Sequence, residues 1–153
     1  EASSGGGVFL IDSGGGFFVQ KAGDPEIVPI AGNVRSAALD TEGSKIVFCT
    51  DRDVNVMWLK GEQRQPFRKA GDREKIITLS DEELVACDWW GPDEENIIFS
   101  AGKFVGAVDI DTRASGAAAG ILYDDISGSA GFEKEAGRIL RSEKSFLFSA
   151  KLY

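Results

Sequence analysis

The sequence predicts an all-β fold assembled from a repeated antiparallel unit. Three observations carry that expectation. Short β-prone runs alternate with polar turns along most of the 153 residues. Nineteen glycines are spread through the chain, and no long stretch has helical periodicity. Finally, the stretch Leu84 to Asp111 reads as three β-prone runs joined by tight polar turns, and an earlier stretch has the same layout.

In chain order, Glu1 to Gly7 is rich in Ser and Gly and reads as a flexible lead-in. Val8 to Ile11 is the first predicted strand, Asp12 to Gly16 a turn, and Phe17 to Gln20 the returning strand. Asp24-Pro25 marks a break, and Pro29 confines the short strand Ile27 to Ile30 to an edge. Val34 to Leu39 opens the next unit and turns at Asp40-Thr41-Glu42-Gly43. Lys45 to Thr50 and Val54 to Leu59 then make a hairpin around Asp51-Arg52-Asp53, and Gln65 to Lys69 reads as a weaker strand.

Ile76 to Leu79 fits a strand or a connecting loop. Leu84 to Trp90, Ile97 to Ser100 and Val105 to Ile110 make the next three strands, with Gly91 to Glu95 as the first turn between them. Thr112 to Gly120 is loop-like, Gly120 to Tyr123 fits a strand, and Asp124 to Gly131 reads as loop. Phe132 to Arg141 is the one candidate for a helical turn or two, weakened by Gly137. Ser145 to Ser149 closes the series as a strand.

A single fixed offset lays Val34 to Lys60 on Val85 to Asp111 without a gap. Ile46-Val47-Phe48 then falls on Ile97-Ile98-Phe99, Val54 falls on Val105, and the two acidic turns coincide. Phe146 to Ala150 echoes Ile97 to Ala101, and Val8 to Gln20 echoes the hairpin from Val47 to Trp58. Four strands in a period of roughly 40–50 residues is the pattern of a propeller blade. The expected organisation is a lead at 1–7 and one all-β repeat domain over 8–153, with units near 8–33, 34–83, 84–135 and an incomplete 136–153.

Residues 34–62 and 85–112 resemble repeats of the WD40-type β-propeller family, with an apolar first strand, an acidic turn, a second strand, a short turn and a third. Asp109 stands where the family's Trp-Asp pair has its Asp, with Val108 at the Trp position. In the preceding unit the pair reads Met57-Trp58, and the family's Gly-His pair has no counterpart because the chain has no histidine. The resemblance implies a β-propeller-like array of four-stranded antiparallel blades and a role in docking proteins. Closing a propeller takes at least four blades, so the blades are expected to be completed by another chain or by further sequence. A β-trefoil, with three four-stranded repeats closed in one small domain, is the alternative fold.

The net charge is −8 and the pI near 4.6, which argues against nucleic acid as a partner. No apolar stretch approaches the ~20 residues of a membrane-spanning helix, so membrane insertion is not expected. The absence of histidine removes the commonest general base and the commonest metal ligand. No nucleophile–base pair can be drawn, and neither enzymatic activity nor a cofactor or metal is expected. Cys49 and Cys87 each sit inside an apolar run and read as two buried thiols, which favours a reducing, cytoplasmic compartment.

The glycine runs at 5–7 and 14–16 lack the Lys-Ser/Thr and helix of a phosphate loop, and Gly14 to Gly16 reads as a hairpin turn. The pairs Asp51/Asp53 and Asp109/Asp111 read as turn residues that satisfy nearby backbone, and Asp124/Asp125 lacks a calcium-loop pattern. Lys60, Arg64, Arg68, Lys69, Arg73 and Lys75 form a basic stretch in an acidic chain. Trp89 and Trp90 are adjacent, so in a strand they point to opposite faces.

The candidate partner-binding residues are therefore Arg64, Arg68, Lys69, Arg73 and Trp90. The expected role is a non-catalytic protein–protein scaffold docking other protein subunits, a propeller segment within a larger protein or assembly. The alternative is a lectin-like carbohydrate-binding module with Trp90 as its stacking platform.

Overall fold

The computed structural model describes residues 8–20, 24–63, 66–102, 104–111, 119–123, 129–133, 138–143 and 146–151. These residues are all-β, with no helix among them. The strands are β1 (Val8–Ile11), β2 (Phe17–Gln20), β3 (Ile27–Ala31), β4 (Ser36–Leu39), β5 (Lys45–Cys49), β6 (Asp53–Trp58) and β7 (Arg73–Thr78). They continue as β8 (Leu84–Trp90), β9 (Asn96–Ala101), β10 (Phe104–Asp109), β11 (Ala119–Tyr123), β12 (Ser129–Glu133), β13 (Arg138–Glu143) and β14 (Phe146–Lys151). Four antiparallel sheets result, in the orders β1-β2-β3, β4-β5-β6-β7, β8-β9-β10-β11 and β12-β13-β14. Each is a plain meander, because every strand pairs with its neighbours in sequence.

The second sheet lies between the first and the third, and the residue pattern shows why. In β5 the pleat sends Val47 and Cys49 to one side and Ile46 and Phe48 to the other. The first pair packs against Leu84, Cys87, Trp89 and Ile97 of the third sheet, and the second against Phe17 and Val19 of the first. A strand covered on both faces has no solvent side to mark with polar residues, so it reads as one continuous apolar run. Strand β9 repeats the arrangement: Ile97, Phe99 and Ala101 face the second sheet, and Ile98 lies on the opposite side.

The fixed offset seen in the sequence is present in three dimensions. β5 and β9 begin at Lys45 and Asn96, β6 and β10 at Asp53 and Phe104, and β8 stands beside β4. Two contacts between β4 and β8 join residues 51 positions apart: the Cys87 N–H donates to Ser36 Oγ at 2.8 Å, and Trp89 Nε1 donates to the Ala38 carbonyl at 3.1 Å. Both pairs advance in the same direction along the two strands, so the first strands of neighbouring sheets run parallel, side by side. At the turn end of the same boundary, Glu94 accepts from the Thr41 N–H at 2.6 Å and from Thr41 Oγ1 at 2.9 Å. Glu94 adopts φ 50 to do this.

Three expectations are corrected. The helical turn over Phe132–Arg141 gives way, in its described residues, to β12 and β13, which pair Ser129 with Ser142 through to Glu133 with Arg138. Of the loop over Asp124–Gly131, residues 129–131 belong to β12 and residues 124–128 lie outside the described residues. Phe132 and Ile139 are register partners across this hairpin. Their spacing fits one helical face equally well, and the glycines beside them favour the hairpin. β12 pairs with β13 and not with the third sheet. Lastly, Gln65–Lys69 is not a strand among its described residues: Arg68 makes only an isolated bridge with Glu62. The outer strand of that sheet is β7, which begins at Arg73.

Candidate functional site

The connection between β6 and β7, residues 59–72, carries most of the basic stretch and is built around Trp58. The Trp58 side chain is buried, and its Nε1 donates to Glu62 Oε2 at 3.0 Å. Arg68 stacks its guanidinium over the same ring, 4.8 Å from the centroid, and pairs with Glu74. Below the ring, Trp58 N donates to Asp72 O at 2.9 Å and Gly71 N to Trp58 O at 2.7 Å. Lys69 N donates to Asp72 Oδ2 at 2.7 Å and closes the final turn. The described residues of this connection, 59–63 and 66–72, are thus tied to the last residue of β6 and make a platform.

What the platform presents is Phe67 and Lys69. Phe67 is 69% exposed, the most exposed of the large apolar side chains described. Lys69 beside it is exposed, and among the described residues its ammonium makes no ion pair. A cleft of about 760 Å³ lies at the same end of the sheets, between residues 40–45 and 60–63 of the second sheet and 92–95 of the third. Glu42, Glu62, Asp93 and Glu95 give it an acidic wall. Lys60 reaches across one side, its Nζ donating to Glu42 O at 2.9 Å.

The structure places the predicted site residues in different circumstances. Arg64 lies outside the described residues. Arg68 is turned inward, held by Trp58 and Glu74. Arg73 donates from Nη1 to Ile30 O at 2.6 Å and lies 5.8 Å from the Phe48 ring, bridging the second sheet to the first. Lys75 pairs with Asp53 at 3.6 Å. Lys69 is exposed with no ion pair among the described residues, whereas Arg73 and Lys75, also exposed, are each held by a partner. Trp90, at the end of β8, is half-buried on the face away from the second sheet; its indole N–H is enclosed and meets no acceptor among the described residues. Trp89 points the other way, fully buried, with Lys45 Nζ 5.0 Å above its ring.

Phe67 was not singled out by sequence reasoning. Read as part of a strand over Gln65–Lys69, an apolar residue looks half-buried by alternation. The available signal was Pro66 immediately before it and Gly71 after it, both of which speak for a loop.

The turn residues behave as small architectural devices. Asp12 Oδ1 accepts from Gly14 N and Gly16 N, each at 2.8 Å, so the glycine turn spends its N–H groups on its own carboxylate. Asp109 accepts from Asp111 N at 2.7 Å, the expected local role. Asp51 and Asp53 take side-chain partners as well: Arg35 at 2.7 Å for the first, Thr78 Oγ1 at 2.6 Å for the second. Asp124 and Asp125 lie outside the described residues. No group of three or more metal-ligating side chains occurs among the described residues. No described helix is long and apolar enough to cross a membrane.

The two cysteines are free, buried, and close together between the second and third sheets. Ser36 Oγ lies 3.2 Å from Cys49 Sγ and 3.6 Å from Cys87 Sγ. Hydrogen bonds from Cys87 and then Ser36 stabilise the Cys49 thiolate and bring that thiol down to about 7, against the pull of burial. Burial, and then the neighbouring Cys49, push Cys87 well above its ordinary range.

Comparison of the sequence with protein-family models finds no match, and comparison with curated proteins finds none either.

Proposed function

We propose that this chain is a non-catalytic interaction module, a run of propeller-type blades belonging to a larger protein or assembly, and that it docks protein partners through the connection 59–72. The observation that carries the reading is the bracing of that connection on Trp58, which leaves Phe67 and Lys69 outward on a rigid support. A pre-organised aromatic beside a cation suits a protein interface, because little side-chain or loop entropy is lost on binding. Lys69 adds charge complementarity toward an acidic rim on the partner.

The blade reading rests on the parallel alignment of β4 with β8 and on contacts between equivalent residues of successive sheets. The four ladders are separate, which favours blades over a trefoil, where strands of all three repeats would share one closed barrel. The assignment to propellers draws on fold-level analogy, and the docking role is argued from the site itself.

The test is affinity capture with the chain as bait. The wild type is expected to retain a partner protein that the double variant Phe67→Ser/Lys69→Glu releases, with unchanged circular dichroism and melting. Equal retention by a folded double variant would remove the connection 59–72 as the docking site. Glycan binding abolished by Trp90→Ala with the fold intact would instead favour the carbohydrate-binding reading.

A further inference from the structure

The thiols of Cys49 and Cys87 come from different sheets and meet at one point. Cys49 closes β5, Cys87 sits in the middle of β8, and Ser36 of β4 touches both sulfurs. Each thiol is buried, at 0% and 6% exposure, in the apolar layer that joins the second sheet to the third. Cys87 also lines a cavity of about 120 Å³ with Ala86, Asp88, Ile98 and Ser100. That is room for a few molecules the size of water, which occupy roughly 30 Å³ each in the liquid. A small neutral oxidant such as a peroxide fits it and reaches the pair from the Cys87 side, the fully buried Cys49 lying behind.

We propose that Cys49 and Cys87 are a peroxide-sensitive modification site whose oxidation to a disulfide staples the second sheet to the third. The inference is independent of the docking role of the connection 59–72. Hydrogen bonds from Cys87 and Ser36 favour ionisation at Cys49 over Cys87. A thiolate is the reactive form toward peroxide.

The chemistry balances with the peroxide as the only co-reactant. The Cys49 thiolate attacks one peroxide oxygen; an S–O bond forms, the O–O bond breaks, and the departing hydroxide takes up a proton as water. Cys49 is then a sulfenic acid. The Cys87 sulfur attacks the Cys49 sulfur as its own proton passes to the leaving hydroxyl; the S–S bond forms, the S–O bond breaks, and a second water leaves. Two thiols have lost two electrons and two protons, and one peroxide has become two waters.

A staple between these strands acts on stability. It closes a loop of roughly 40 residues, which in the chain-entropy account raises the melting temperature by on the order of 10 °C for a domain of this size. Ser36 contributes by holding the two sulfurs at one place while both are reduced.

The experiment treats the reduced full chain with hydrogen peroxide, then reads free thiols under denaturing conditions, intact mass, non-reducing electrophoresis and thermal melting. The expected result is loss of both thiols together, a mass lower by two hydrogen atoms, a monomeric band and a higher melting temperature reversed by reductant. Cys87→Ser, which keeps a hydrogen-bond donor beside Cys49, should stop at a sulfenic acid on Cys49 that dimedone traps, and Cys49→Ala should leave Cys87 unreacted under the same exposure. Peroxide applied to the urea-unfolded chain gives the rate without the fold, and the folded protein should form the intramolecular disulfide faster. Retention of both thiols, oxygen added to the cysteines separately, or a disulfide formed only between chains would overturn the proposal. Unfolding of either variant leaves the wild-type mass and thiol count to decide it.

Discussion

Trp89 donates its indole N–H to the carbonyl of Ala38, and the two residues are 51 positions apart. Laid one repeat on the other, Trp89 and Ala38 occupy the same place. The sheets are thus joined by residues that are equivalent under the repeat, with a large side chain in one copy and a small one in the other. That asymmetry lets β4 and β8 lie close: Ala38 offers a carbonyl and little bulk, and Trp89 fills the space.

Replacing Trp89 should therefore loosen the joint between the second and third sheets. Trp89→Phe removes the donor and part of the buried ring, and should lower stability by about 2–4 kcal/mol. Urea titration is the measure, with the midpoint falling and the slope unchanged. A loss below ~0.5 kcal/mol, the range of ordinary surface substitutions, would contradict the burial described.

Glu94 makes the same joint at the turn end. Its carboxylate takes both the N–H and the hydroxyl of Thr41 from a backbone held at φ 50. Glu94→Ala strands the Thr41 donors and keeps the backbone strain, so a loss of about 1–3 kcal/mol is expected. Thermal melting of Glu94→Ala beside Glu42→Ala, an exposed carboxylate on the same cleft, separates this contact from a general effect of charge.

Gly106 in β10 stands opposite Phe99 of β9, and a Cβ there would come within 2.5 Å of the ring's Cζ. The ring has little room to retreat, since Phe104 packs against it edge-on with centroids 6.1 Å apart. Gly106→Ala should destabilise the third sheet by about 1–3 kcal/mol through overpacking, despite alanine's smaller backbone entropy cost. Hydrogen exchange in β9 and β10 should accelerate in that variant.

The thiol pair gives a pH dependence with a definite sign. Cys49 ionises near 7 in the folded chain and at an ordinary 9.0 when unfolded, so its folded value is depressed. The stabilisation is fully present above 9.0 and disappears as pH falls through about 7. Cys87 is shifted the other way, so its contribution is fully present below 9.0 and is lost as pH rises from there through its own raised value. Between pH 7 and 9 the wild type should gain stability relative to Cys49→Ala, on the order of 2 kcal/mol. Paired urea titrations across that window measure the difference, and ultraviolet thiolate absorbance should show one ionisation near 7 and the second displaced well upward.

Much of this architecture was legible in the chain. Apolar runs such as Ile46–Cys49 were legible as strands, though not that they are covered on both faces, and glycines with Asp at Asp12 to Gly16 were legible as a hairpin turn. What the sequence could not convey was partnership between sheets. Ser36 and Cys87 differ in chemistry, so their equivalence under the repeat gave no hint that one hydroxyl would reach both cysteines. The basic stretch was visible as charge, yet Arg68 and Arg73 spend theirs internally, on Trp58, Glu74 and the Ile30 carbonyl. Only geometry separates them from Lys69. The hairpin of β12 and β13 was misread for a related reason: the spacing of Phe132 and Ile139 serves a helical face and a cross-strand pair alike.

The joint between equivalent residues is tested most directly by the proton resonance of the Trp89 indole N–H. The account predicts nuclear Overhauser contacts from that proton to Ala38 and its neighbours in β4, surviving in the folded chain and lost on unfolding. Contacts confined to β8, β9, β10 and β11, with none to β4, would contradict the side-by-side alignment of the first strands on which the blade reading depends.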